Sequence, residues 1–202
     1  MGTDIKFDIA RTAVLAMDCQ VGIVSMIVQS SEDFLDRAAS VLGAARKAGM
    51  AVIHVRVGFR PGLPEVSSRN KLFAALKANP QHQQLFLGPA GVIHPALGPE
   101  AEDIVMTKHR VSAFSGSDLE MLLRAKEIDT LVMFGIATSG VVLSTLTEAF
   151  DLDYRIVVIG DCCTDRDADL HEALLNKYFA SRGVVMTAAE FVELVENGQA
   201  AV

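Results

Sequence analysis

Short apolar runs rich in β-branched residues alternate with longer stretches in which apolar positions recur every three or four residues, and this alternation holds along the chain. Strands buried on both faces read as near-continuous apolar runs, so the pattern implies a parallel sheet with helices on both faces. The expected fold class is α/β, a single-domain doubly wound parallel sheet of about six strands, with one domain over residues 1–202. Strands are predicted at residues 12–18, 50–57, 103–108, 130–135, 154–160 and 184–187. Between the first two, Phe34, Leu35, Ala38, Ala39, Leu42, Ala45 and Arg46 keep a helical period up to Gly49, a stop signal. Further helices are predicted at 117–127, opened by a Ser117/Glu120 capping box, at 139–150, at 168–182, and at the end of the chain behind a Thr187/Glu190 box. Residues 58–99 collect the prolines and show little periodicity, which predicts a segment crossing the surface over the site. Its length is suspicious for a plain connector.

In doubly wound sheets a ligand lies outside the carboxyl ends of the strands, and that rule selects few positions here. They are Asp18, Lys108, the turn from Gly135 through Ile136, Ala137, Thr138 and Ser139 to Gly140, and Asp161. A carboxylate beside an ammonium in a shielded crevice shifts both acidities, and backbone N–H groups at a helix start suit an oxyanion or a substrate carboxylate. Each position also has a structural explanation. Asp18 at a strand end caps a turn, and Lys108 with His109 and Arg110 forms a solvated edge. Thr138 or Ser139 reads as an N-cap rather than a nucleophile, because the G-x-S-x-G elbow is absent. Val141 and Val142 stand where a phosphate-binding loop needs Lys-Ser/Thr, which excludes that class. His54, His82, His94 and His171 are isolated along the chain, so structural roles are expected, and no metal cluster is legible.

Composition narrows the partner. The chain has 202 residues, half of them hydrophobic, with a formal charge of −7 and scattered Lys and Arg. Nucleic-acid binding requires a basic stripe, so a small-molecule partner is expected and no nucleic acid. No apolar run reaches membrane-spanning length. Cys19, Cys162 and Cys163 form neither a secretory framework nor a zinc spacing and read as free thiols. The first fourteen residues lack a signal-peptide apolar run, and Lys6 stands where myristoylation wants Ser or Thr, so a cytoplasmic location is expected.

Three ordered blocks carry a resemblance: AVLAMDCQVGI, KHRVSAFSGSDL and GIATSGVVLSTLTEAFDLDYRIVVIGDCC, followed by the tail DADLHEALLNKYFASRGVVMTAAEFV. Together they resemble the isochorismatase-like hydrolases, or cysteine hydrolase superfamily, over nearly the whole chain. The resemblance implies Asp18 as general acid/base and Lys108 as the charge stabiliser beside it. The family turn reads G-x-x-T-x-x-C, with a cis peptide and a thiolate on the first helical turn, and counting from Gly135 puts Val141 in the cysteine position. Valine cannot form a thioester, so the amidase mechanism loses its nucleophile. True isochorismatases carry Gly there and cleave a vinyl ether without a covalent intermediate; here Gly140 lies one residue earlier. The Asp-x-His of the nicotinamidase branch is replaced by Val57 and Phe59, so neither metal nor cofactor is expected. Ala137, Thr138 and Gly140 are expected to bind substrate. Gln20, two residues past Asp18, is expected to orient substrate or the neighbouring loop, and Phe114 to line the pocket or simply to pack. Three readings stay open: a thiol-free hydrolase of a small polar or anionic molecule, a noncatalytic binding member, and an amidase using another nucleophile such as Cys163. A homo-oligomer is expected, with residues 73–97 as a possible interface.

Overall fold

The computed structural model describes residues 8–197. The leader reading, including Lys6, therefore falls mostly outside the described residues. Six strands form one parallel sheet in the order β3-β2-β1-β4-β5-β6. They are β1 (Thr12–Met17), β2 (Ala51–Val57), β3 (Ile104–Lys108), β4 (Thr130–Ile136), β5 (Arg155–Thr164) and β6 (Val184–Met186). β1 and β4 are buried at every position, as expected of central strands covered on both faces. The chain builds outward from β1 to β2 and β3, then returns to place β4 on the other side of β1. That reversal puts a switch point between the carboxyl ends of β1 and β4.

The helices are α1 (Val21–Ile27), α2 (Ser31–Ala48), α3 (Lys71–Ala78), α4 (Pro80–Gln84), α5 (Leu119–Ala125), α6 (Leu143–Asp151), α7 (Ala168–Ala173) and α8 (Ala188–Glu196). α2 shows why these segments fold as they do. Phe34, Leu35, Ala38, Val41, Leu42 and Ala45 form its buried face, each large side chain contributing roughly 1.5–3 kcal/mol. Glu32 and Asp33 open it, Arg46 and Lys47 close it, and Gly49 stops it at φ 83°. α8 is opened by the Thr187/Glu190 box, formed in both directions.

Several elements depart from the sequence pattern. Residues 58–99 hold α3 and α4, because Asn70 accepts from the Phe73 N–H and Asn79 accepts from the Gln81 and His82 N–H groups with Pro80 behind it. α1 was not visible in the periodicity. The Ser117/Glu120 box does not form: Asp118 precedes α5, the Ser117 hydroxyl donates to the Ala113 carbonyl, and Glu120 pairs with Arg124. The helix predicted at 168–182 ends at Ala173 and continues as a π-type turn, Leu174–Tyr178, and a 3-10 turn. A register shift opposite Met133 and Gly135 lengthens β5, which takes Asp161, Cys162 and Cys163 into the strand.

Candidate active site

Asp18 follows β1 directly and adopts φ 56°, a left-handed conformation that Asp tolerates better than most residues. This turn breaks the strand alternation and sends the carboxylate toward the end of β3. There Lys108 Nζ lies 2.8 Å from Asp18 Oδ2 and also donates to the Arg110 carbonyl at 3.0 Å. Asp18 is 6% and Lys108 2% exposed. The other carboxylate oxygen, Oδ1, is buried and has no hydrogen-bond partner among the described residues. Burial pushes the Asp18 carboxyl above the ordinary carboxylate range, against the pull of the Lys108 ammonium and the Val57 backbone.

The turn after β4 completes the switch point. Gly135 pairs with Met17 across the strands, and a Cβ on Gly135 would lie 2.1 Å from the Met17 carbonyl oxygen, so only glycine allows the approach. The Ile136–Ala137 peptide is cis. Thr138–Val142 forms a π-type turn leading into α6, with Thr138 and Val141 buried. Beside Gly140 the space is open, since a Cβ there would meet only the Ala137 Cβ, at 3.9 Å. Neither Thr138 nor Ser139 caps the helix. The Thr138 hydroxyl is bonded to His171 Nδ1 at 2.8 Å, and the Ser139 N–H donates to Asp165 Oδ2 at 2.7 Å. The Gly140 N–H donates to the Ala137 carbonyl at 3.0 Å. The N–H groups of Ser139 and Gly140 are therefore spent within the protein rather than offered to an anion.

Other predicted residues take different places. The Gln20 amide is committed to the backbone: it donates to the Val57 and Gly91 carbonyls at 3.0 and 2.9 Å and accepts from the Val57 N–H at 2.8 Å. Its geometry ties the end of β2 to the 58–99 segment and leaves nothing for a substrate. Phe114 does not line the crevice. Ser112 donates to Glu148 and the Ala113 N–H to Thr145, which straps this segment along α6. The Phe114 ring then packs 6.0 Å from Tyr154, which precedes β5 at the amino end of the sheet. Asp161 does not join the crevice either, because it sits inside β5, where its carboxylate accepts from the Ala188 N–H at the start of α8. Cys163 is buried, donates to the Ile159 carbonyl, and has its thiol pushed up to about 12 by burial, so it stays protonated near neutrality. Asp165 escaped the sequence reading, and His171, expected there to be structural, bonds to the turn; their signal was the loop following a strand end, which the early end predicted for β5 displaced. Among the described residues no group of three or more His, Cys, Asp or Glu gathers as a metal site, and no helix is long and apolar enough to cross a membrane.

The isochorismatase domain profile matches residues 12–190. YwoC of Bacillus subtilis, an uncharacterized isochorismatase family protein, is 32% identical over 203 aligned positions, covering 97% of this chain and 100% of that protein. Maleamate amidohydrolase of Pseudomonas putida is 29% identical, over 81% of this chain and 75% of its own length. Among solved structures, an isochorismatase family protein from Burkholderia thailandensis superposes with a TM-score of 0.81 at 31% identity, covering 95% of this chain and 99% of that one. A cysteine hydrolase from Pseudomonas syringae pv. phaseolicola shares the fold with a TM-score of 0.85 at 24% identity, over 96% of each chain.

Proposed function

We propose that this chain, which belongs to the isochorismatase family, is a hydrolase of a small polar or anionic molecule that works without a thiol nucleophile. Asp18 is its general acid/base and Lys108 its charge stabiliser. The observation that carries this reading is the buried 2.8 Å Asp18–Lys108 pair at the switch point, with one carboxylate oxygen left unbonded. A carboxyl whose ionisation burial disfavours holds its proton closer to neutral pH, the state an acid catalyst needs.

With an enol ether the steps balance without a covalent intermediate. Asp18 gives its proton to the terminal carbon of the double bond, leaving an oxocarbenium on the substrate and a carboxylate that the Lys108 ammonium stabilises. Water adds to the cation and returns a proton to Asp18. The hemiketal then collapses to a ketone and an alcohol, with one water consumed. The open space beside Gly140 is the place for the substrate, next to Ala137 and Thr138. Val141, in the position the family resemblance gives to cysteine, supplies an apolar wall and no nucleophile. Relatives include maleamate and ureidoacrylate amidohydrolases, so carboxylate-bearing amides belong beside the vinyl ether in the test.

The experiment measures pyruvate released from isochorismate and ammonia released from maleamate and ureidoacrylate, each against Asp18→Asn as the blank. Pyruvate above the blank supports the assignment, and ammonia above it turns the reading to an amidase using another nucleophile. Equal turnover by the variant removes Asp18 from the mechanism, and binding of these carboxylates without turnover converts the reading to a noncatalytic member of the family.

A further inference from the structure

We propose that a cavity at the carboxyl ends of β2 and β3 is a second binding site, for a small planar carboxylate. The cavity, of about 350 Å³, shares no residue with the Asp18–Lys108 pair. Strand alternation explains why. Lys108 turns to Asp18, so its neighbours Thr107 and His109 turn to the other side of the edge, where Arg56 stands in register with Thr107.

Among the described residues no acidic side chain lines this cavity. Arg56 donates to Thr107 Oγ1 at 3.0 Å and reaches the Gly91 carbonyl at 3.5 Å, and it makes no ion pair among the described residues. In a chain of net charge −7, a half-buried guanidinium without a carboxylate, as Arg56 is, keeps a charge that an anion would satisfy. Arg60, at the rim, is already paired with Glu65, so one uncompensated positive charge faces the cavity and a monoanion fits it. His109 Nδ1 lies 2.6 Å from the Gly58 carbonyl, which can only accept; Nδ1 therefore carries the proton and Nε2 is left as the ring's other nitrogen. Phe59, Phe86 and Leu87 supply the apolar part of the wall. Phe59 and Phe86 meet edge to face with centroids 6.3 Å apart, an arrangement that accepts a third ring. The volume lies in the range that holds small ligands. An oxyanion at Arg56 with a planar body laid against the Phe86 ring uses these features together.

Benzoate is the probe. Calorimetric titration of the full chain should show saturable benzoate binding that Asp18→Asn leaves within twofold. Arg56→Gln should weaken it at least tenfold and Phe86→Ala several-fold. Acetate, which keeps the charge and lacks the ring, should bind at least tenfold more weakly than benzoate. Circular dichroism checks each variant's fold. If Arg56→Gln does not fold, Arg56→Lys, which keeps the charge and loses the fork, is read with Phe86→Ala. The proposal fails if the parent does not bind benzoate, if the folded Arg56 and Phe86 variants bind as the parent does, or if Asp18→Asn abolishes binding, which would put benzoate in the catalytic crevice.

Discussion

Replacing Asp18 and Lys108 singly and together separates what their pair does for stability from what it does for chemistry. At 2.8 Å and an effective dielectric constant near 20, the gross attraction is about 6 kcal/mol, offset by the cost of removing both charges from water. Both residues are at most 6% exposed, so removing one partner strands the other in a site that cannot solvate it. Asp18→Ala should therefore cost about 3–5 kcal/mol, a fall of about 6–20 °C in Tm for a chain of this size. Lys108→Met should cost less at low pH, because the remaining carboxyl can take up a proton. The sign follows from the raised Asp18 pKa: the folded state holds that proton more tightly than the unfolded one. Destabilisation by Lys108→Met should thus grow as pH rises from the ordinary carboxylate value through the folded one. The double variant Asp18→Ala/Lys108→Met should recover most of the loss, giving a coupling energy of about 3 kcal/mol, yet remain inactive. Thermal unfolding by circular dichroism at pH 5, 7 and 9 checks this. Additive losses in the double variant would show that the pair is not coupled and refute the reasoning.

Three further outcomes are expected. Val141→Cys should add a thiol that iodoacetamide labels no faster at pH 8 than the native cysteines, because position 141 is as buried as Cys19, Cys162 and Cys163, whose thiols burial holds protonated; peptide mass mapping reads the site, and faster labelling would show that the crevice activates a thiol there. Gly135→Ala should cost several kcal/mol or prevent folding, since its Cβ would lie 2.1 Å from the Met17 carbonyl oxygen; a Tm within about 2 °C of the parent would show that β1 and β4 can part there. His54 is buried, bonded to Asp103, and its pKa is lowered from 6.5 by burial, so its contribution is complete above 6.5 and is lost as pH falls toward the folded value. His54→Gln should flatten that limb of a denaturant-midpoint-against-pH curve, whereas the limb below 3.8, where Asp103 with its depressed pKa takes up its proton, should persist.

What was legible in the sequence divides along a physical line. Strand positions and the two charged residues depend on local features: apolar runs, helix stops and the position at a strand end. Asp18 and Lys108 stand at the ends of β1 and β3, on either side of β2, so the doubly wound rule places both at the carboxyl edge of the sheet. The residues that were misplaced are those whose partner is chosen by tertiary contact. Ser117 and Glu120 have the spacing of a capping box, but Ala113 lies close enough to take the serine hydroxyl and Arg124 takes the glutamate. Phe114 follows Lys108 by six positions, yet Thr145 and Glu148 strap that segment to α6 and carry the ring to the amino end of the sheet. Asp161 was displaced by one irregularity, the register shift opposite Gly135, which no propensity records and which also hid the Thr138–His171 and Ser139–Asp165 contacts beyond it. That shift and the bare Gly135 face each other across β4 and β5, where Gly135 pairs with Cys163. The same glycine lets β1 approach and so brings Asp18 beside the turn. The feature that made β5 hard to read therefore adjoins the one that assembles the crevice, and a bulged strand next to an obligatory glycine at a switch point is itself a signal worth seeking in a doubly wound sequence.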